Sequence, residues 1–80
     1  MIRRARRHSR VSIDPGVMSG KPCVAGTRVP VELVLRYLAA GEPESEILSA
    51  FPGLTAEDIR ACIDFAADVV ADEAMLLAEA

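Results

Sequence analysis

The stretch GKPCVAGTRVPVELVLRYLAAG, residues Gly20 to Gly41, decides the fold, because a strand pattern turns into a helix pattern inside it. Cys23-Val24 and Arg28-Val29 read as two short strands about Ala25-Gly26-Thr27. Gly26 stands where a tight reversal with positive φ costs least. Pro30 keeps Val29 extended, and its missing N–H is no loss at the first position of a helix. Val31, Val34, Leu35 and Leu38 then recur at helical spacing, with Glu32 and Arg36 one turn apart on the outer side. Gly41 ends that helix as its C-terminal cap.

Outward toward the N-terminus, Arg10 to Ile13 alternates polar and apolar, which predicts a strand with Val11 and Ile13 on one face. Asp14-Pro15-Gly16 reads as a turn. Residues 1–10, MIRRARRHSR, read as a separate basic arm, mobile when the chain is alone. Toward the C-terminus, PESEILSAF predicts a second, short helix with Ile47, Leu48 and Phe51 inward, stopped by Pro52-Gly53. Thr55 with Asp58 forms a near capping box for a third helix. The expected inward stripe of that helix is Ile59, Cys62, Ile63, Ala66, Val69 and Val70, with Asp64, Asp68 and Asp72 as an acidic row elsewhere. A break near Asp72 and a continuous helix are equally consistent with the pattern. The second and third helices are four residues apart, the spacing of a helix-turn-helix unit and also of any tightly closed bundle.

Eighty residues make one domain, of which 51% are hydrophobic. Such a chain buries only about 60% of its unfolded surface, and one core of this size rarely supplies more than roughly 3–5 kcal/mol. The surplus apolar surface points to cover by another chain, with an N-terminal hairpin paired between two subunits. Val11, Ile13, Val24, Gly26 and Arg28 are the candidate hairpin and dimer residues. Charge is sharply divided. Residues 1–41 carry eight Lys/Arg against two acids (+6), and residues 42–80 carry one Arg against ten acids (−9). Two solvated ends, or a basic end and an acidic end serving oppositely charged partners, both fit this separation.

Catalysis lacks a constellation, because nucleophilic chemistry needs a nucleophile, a base and an orienting group together. His8, the single histidine, stands among arginines. The glycines are spaced for turns and not for cradling phosphate. Two cysteines and one histidine are too few for a zinc site. The expectation is no enzyme, no cofactor, no metal and no small-molecule substrate. Cys23 and Cys62 allow one disulfide, but free buried thiols in a reducing cytoplasm are the preferred reading. The arginine cluster has no apolar run behind it, and no stretch approaches the roughly 20 apolar residues of a membrane helix. A cytoplasmic protein is expected.

Residues Ile13 to Ala67 resemble the bacterial domain-of-unknown-function family 433. The resemblance rests on Gly20, Pro22, Val24, Gly26, Thr27, Arg28, Val29, Pro30 and Val31, then Gly41, Ile47, Phe51, Pro52, Leu54, Thr55, Asp58 and Ile59 in that order. Glu42 departs from the pattern, since members often place a better-capping Ser or Asp before the second helix's proline. The resemblance implies an α+β, mostly α fold: a short N-terminal β-hairpin followed by a three-helix, homeodomain-like helix-turn-helix bundle. It also implies the antitoxin of a toxin–antitoxin pair, similar to the VapB type, whose usual neighbour is a PIN-like nuclease.

Three regions then become candidate sites: the arm (1–10), the hairpin-plus-helices body (11–68) and an acidic amphipathic end (69–80). For operator DNA, the phosphate contacts expected are Arg3, Arg4, Arg6, Arg7 and Arg10, with Arg60 on the third helix facing bases. The row of acids beside Arg60 would repel phosphate, which favours the arm over the helix. For the toxin, Val69, Val70, Asp72, Met75, Leu76 and Leu77 form an acidic apolar segment suited to a partner's groove. The same residues also suit packing on the chain's own core or on a dimer mate. Arg28 has two readings, a contact to DNA or toxin and an internal ion pair holding the hairpin to the helices. A stand-alone helix-turn-helix transcriptional regulator is the alternative function.

Overall fold

The computed structural model describes the backbone of residues 3–5 and 8–79 and the side chains of residues 8–72. Strand β1 (Arg3–Ala5) pairs antiparallel with β2 (His8–Ile13), and β2 pairs antiparallel with β3 (Cys23–Val24), giving the order β1-β2-β3. A single 3-10 turn, Met18–Gly20, lies in the connection. Helices α1 (Val31–Ala39), α2 (Glu44–Ala50) and α3 (Ala56–Glu79) follow. The fold is therefore a hairpin and three helices, α+β and mostly α, as the sequence predicts.

The Gly-Thr-Arg turn is built from its own polar groups. Gly26 takes φ +80°, and the Val24 N–H donates to the Val29 carbonyl at 2.9 Å across the reversal. The Thr27 hydroxyl donates to the Val24 carbonyl at 2.8 Å and accepts the Val29 N–H at 3.0 Å. A hydroxyl used at both ends fixes the turn without a long strand behind it. Arg28-Val29 is not a regular strand, but the chain just after the turn does pair with β3, through the Val24–Val29 bond and an antiparallel bridge between Cys23 and Pro30. Pro30 then caps α1 one residue before its first turn.

The end of α1 is a Schellman motif. Gly41 at φ +87° lets its own N–H reach the Leu38 carbonyl at 3.0 Å while the Glu42 N–H reaches Tyr37 at 3.1 Å. Helix α2 starts at Pro43 with no side-chain cap, as the Glu42 departure suggests. Helix α3 has the reciprocal box: the Thr55 N–H donates to Asp58 at 2.9 Å and the Asp58 N–H to the Thr55 hydroxyl at 3.2 Å.

Val11, Val24, Val31, Val34, Ile47, Leu54, Ile59 and Cys62 form one buried cluster drawn from the sheet and all three helices. Tyr37 on α1 and Phe51 after α2 meet at 5.4 Å between ring centres at its margin. Both cysteines are free and buried, and burial, aided by the Asp58 charge, pushes the Cys62 thiol up to about 11.

Two expectations are corrected. The arm does not stay separate up to residue 10, since β2 begins at His8 and Arg3–Ala5 pairs with it. Val11 is fully buried, and Ile13, two residues on, is half-buried. Ile63, Val69 and Val70 are not inward: they are 48%, 39% and 63% exposed. The helical stripe continues along α3, but the surface it packs against ends first. Of the two readings the C-terminal pattern leaves open, the continuous helix is the one found: α3 runs to Glu79, about 36 Å for its 24 residues.

Candidate functional site

The seam between β2 and α3 collects most of the long-range polar contacts. Arg10 reaches Asp58 at 3.0 Å with one guanidinium nitrogen and Glu57 at 2.8 Å with another. Asp58 thereby serves both the cap of α3 and its fixation to the sheet. Burial pulls its carboxyl upward, but the hydrogen bonds from Thr55 and Arg10 and the Arg10 charge together win, and its pKa is lowered. Two turns further along, the buried His8 ring donates from Nε2 to Asp68 at 2.7 Å and has Asp64 3.6 Å from Nδ1. Its edge meets the Phe65 ring at 5.3 Å and 87°.

These contacts reassign several predicted residues. Arg10 is bound to α3 and does not lie free with the arm. The backbones of Arg3 and Arg4 pair with Ile13 and Ser12, while their side chains and all of Arg6 and Arg7 lie outside the described residues. Arg60 is exposed, with Glu57 and Asp64 beside it on the helix. Among the described residues Arg28 makes no ion pair, so Arg10, not Arg28, ties the strands to the helices. Val11 and Val24 are spent on the chain's own core, and β2 is flanked on both sides by strands of the same chain. Pairing of two copies through β2 has no free edge; the outer edges belong to β1 and β3.

Sequence reasoning missed His8 as a structural residue and the Arg10–Asp58 pair. Their partners lie 60 and 48 residues away, beyond the reach of any local pattern. Only the burial of one face of β2 hinted that something on α3 must cover it.

Beside the Gly-Thr-Arg turn is a cavity of about 410 Å³ lined by Asp14, Val17, Cys23, Thr27 and Arg28 among others. On the far side of Arg28 a second hollow runs along α1. At the other end of the molecule, α3 continues past Asp68, which among the described residues is its last side chain bonded to the sheet, with Val69, Val70, Ala71 and Asp72 exposed. Met75, Leu76 and Leu77 have side chains outside the described residues. Among the described residues no three His, Cys, Asp or Glu side chains gather as a metal would need, and no helix is long and apolar enough to cross a membrane.

The family model "Protein of unknown function (DUF433)" matches residues 11–66. An uncharacterized protein, y4eO of Sinorhizobium fredii (strain NBRC 101917 / NGR234), is 46% identical over 50 residues, covering 62% of this chain and 23% of that protein. The chain therefore spans about a quarter of that relative's length. The crystal structure of a DUF433 member from Anabaena variabilis ATCC 29413 superposes with a TM-score of 0.74 at 32% identity, over 91% of this chain and 72% of the other.

Proposed function

The chain belongs to the DUF433 family, and from that premise we propose that it is the antitoxin of a bacterial toxin–antitoxin pair, binding and silencing a PIN-like nuclease without turning anything over. The observation that carries the reading is the exposure of Val69, Val70, Ala71 and Asp72 on α3. From Val69 to Asp72 the helix is exposed, and the sequence to Glu79 keeps apolar residues on a face flanked by acids. A helix of this kind gains most of its stability from a partner's groove. A nuclease that holds metal by carboxylates and RNA by a basic surface offers such a groove, complementary in charge to Asp72, Glu73 and Glu79.

Co-expression with the product of the adjacent reading frame tests this. Full-length chain is expected to co-elute with the nuclease and abolish its toxicity. Chain truncated after Asp68 keeps its core and should fold, but should lose both properties. Neutralisation that survives the truncation would remove the extension from the mechanism.

Operator binding for autoregulation is the second activity proposed, supported by the basic half of the chain. With Arg10 held by α3, the phosphate contacts fall to Arg3, Arg4, Arg6 and Arg7. Four such contacts predict a slope of about −3.6 for log K against log salt concentration per bound chain. Salt titration by fluorescence anisotropy measures it, and Arg60→Ala is expected to leave the slope unchanged. A slope near zero would remove the arm as a DNA contact.

A further inference from the structure

Two surfaces of this chain match each other: an open hollow along α1 and a helical face that begins at the exposed Val69 and Val70. The first is the hollow along α1, about 430 Å³, floored by Met18, Val29, Leu33 and Phe51. Its rim carries Lys21, Arg28 and Arg36, together with one acid, Glu32. Lys21 at 3.0 Å and Arg36 at 3.2 Å already neutralise Glu32 and hold its carboxyl below the ordinary range. The rim is left net positive and Arg28 has no carboxylate among the described residues. Met18 is 45% exposed on the floor, a thioether suited to irregular apolar partners.

The second surface is the end of α3. Residues 69, 70, 73, 76 and 77 share one helical face by spacing, and they are Val69, Val70, Glu73, Leu76 and Leu77. This face is apolar with an acid at its centre and Asp72 at its border.

We propose that the groove along α1 receives the end of α3 from a second copy of the chain, and that the exchange is reciprocal. Charge complementarity selects this occupant: a cationic rim over an apolar floor meets an apolar stripe that carries carboxylates. The chain's own α3 cannot serve. It is one continuous helix to Glu79, it already packs in the core with the inner face of α1 through Ile59, Cys62 and Val34, and no turn lets it reverse across the other flank. Two copies related by a two-fold axis satisfy both grooves with both ends, the closed arrangement that a self-complementary pair requires. The β strands need take no part. A nuclease that takes the same extension would compete with this self-association, but the self-association itself does not depend on there being one.

Sedimentation velocity on the full chain alone, at low salt and without nuclease or DNA, tests the exchange. A dimer that weakens with salt is expected. Arg28→Glu with Arg36→Glu, and separately Asp72→Lys with Glu73→Lys, should each raise the dissociation constant about a hundredfold. Arg28, Arg36 and Asp72 lie off the buried cluster, and circular dichroism of each variant should match the parent. Mixing the two variants should restore a dimer of parental affinity, because each altered groove then meets an altered helix and each parental groove a parental helix. A parent that sediments as a monomer overturns the proposal. So does a dimer indifferent to both reversals, or a mixture that stays monomeric. Each of these failures leaves the nuclease reading standing, since no nuclease is present.

Discussion

Ile47→Ala is expected to leave much of the chain unfolded near physiological temperature. Ile47 is fully buried and is the one buried residue of α2. That helix has seven residues and no side-chain cap, so it cannot form without its anchor. Truncating a buried isoleucine to alanine costs about 2–5 kcal/mol, through lost transfer energy and the cavity left behind. Against a total of roughly 3–5 kcal/mol for a core of this size, that is most of what holds the fold. Even the lower bound lowers Tm by about 8 °C or more in a domain this small. Thermal unfolding followed by circular dichroism measures the change. A shift of only two or three degrees would mean that neighbouring side chains close the cavity, or that a second chain carries most of the stability.

Local chemistry was legible in the sequence wherever one residue type is needed for one backbone state. Gly26 and Gly41 sit at positive φ, Pro30 stands at the switch from strand to helix, and Thr55 with Asp58 closes the reciprocal cap. None of these needs knowledge of the rest of the chain. What could not be read was long-range pairing and the extent of cover. β2 begins at His8, two residues before the alternation that is visible from Arg10, so the buried His8 falls outside the stretch read as strand. The stripe on α3 gives its direction but not the place where the body stops, which is why Ile63 and Val69 share the inward stripe by spacing and are exposed in the fold. Periodicity names a face; only the neighbouring elements decide how much of it is covered. The candidate sites follow the same division. The acidic end was visible as a segment, whereas the groove along α1 is assembled from three separate stretches, 18–21, 28–36 and Phe51, and has no sequence signature.

Asp58→Ala is expected to cost about 2 kcal/mol, more than any other single polar change in the described body. Three contributions meet on this one carboxylate. Its bond from the Thr55 N–H satisfies one of the orphan donors at the start of α3, worth about 1 kcal/mol as capping goes. The Arg10 contact adds less than a fully buried pair would, because the Arg10 side chain is 46% exposed; screened pairs of this kind contribute about 0.2–1 kcal/mol. The remainder is the cost of leaving Arg10 and Thr55 without their acceptor in a carboxylate's place that is only 8% exposed. A double-mutant cycle with Arg10→Ala isolates the pair and should return a coupling below 1 kcal/mol. The pH dependence separates charge from shape. The folded-state pKa of Asp58 is depressed below its ordinary value of 3.8, so its charge-dependent stabilisation is complete well above 3.8 and is lost as pH falls through the lower, folded value. Asp58→Asn keeps the size and an acceptor for Thr55 but never carries the charge. The stability gap between parent and Asp58→Asn, measured by urea unfolding, should therefore be largest at neutral pH and close in acid once the parent's carboxyl is protonated. A gap of the same size at both extremes would mean that geometry alone, without the ionised form, holds β2 against α3.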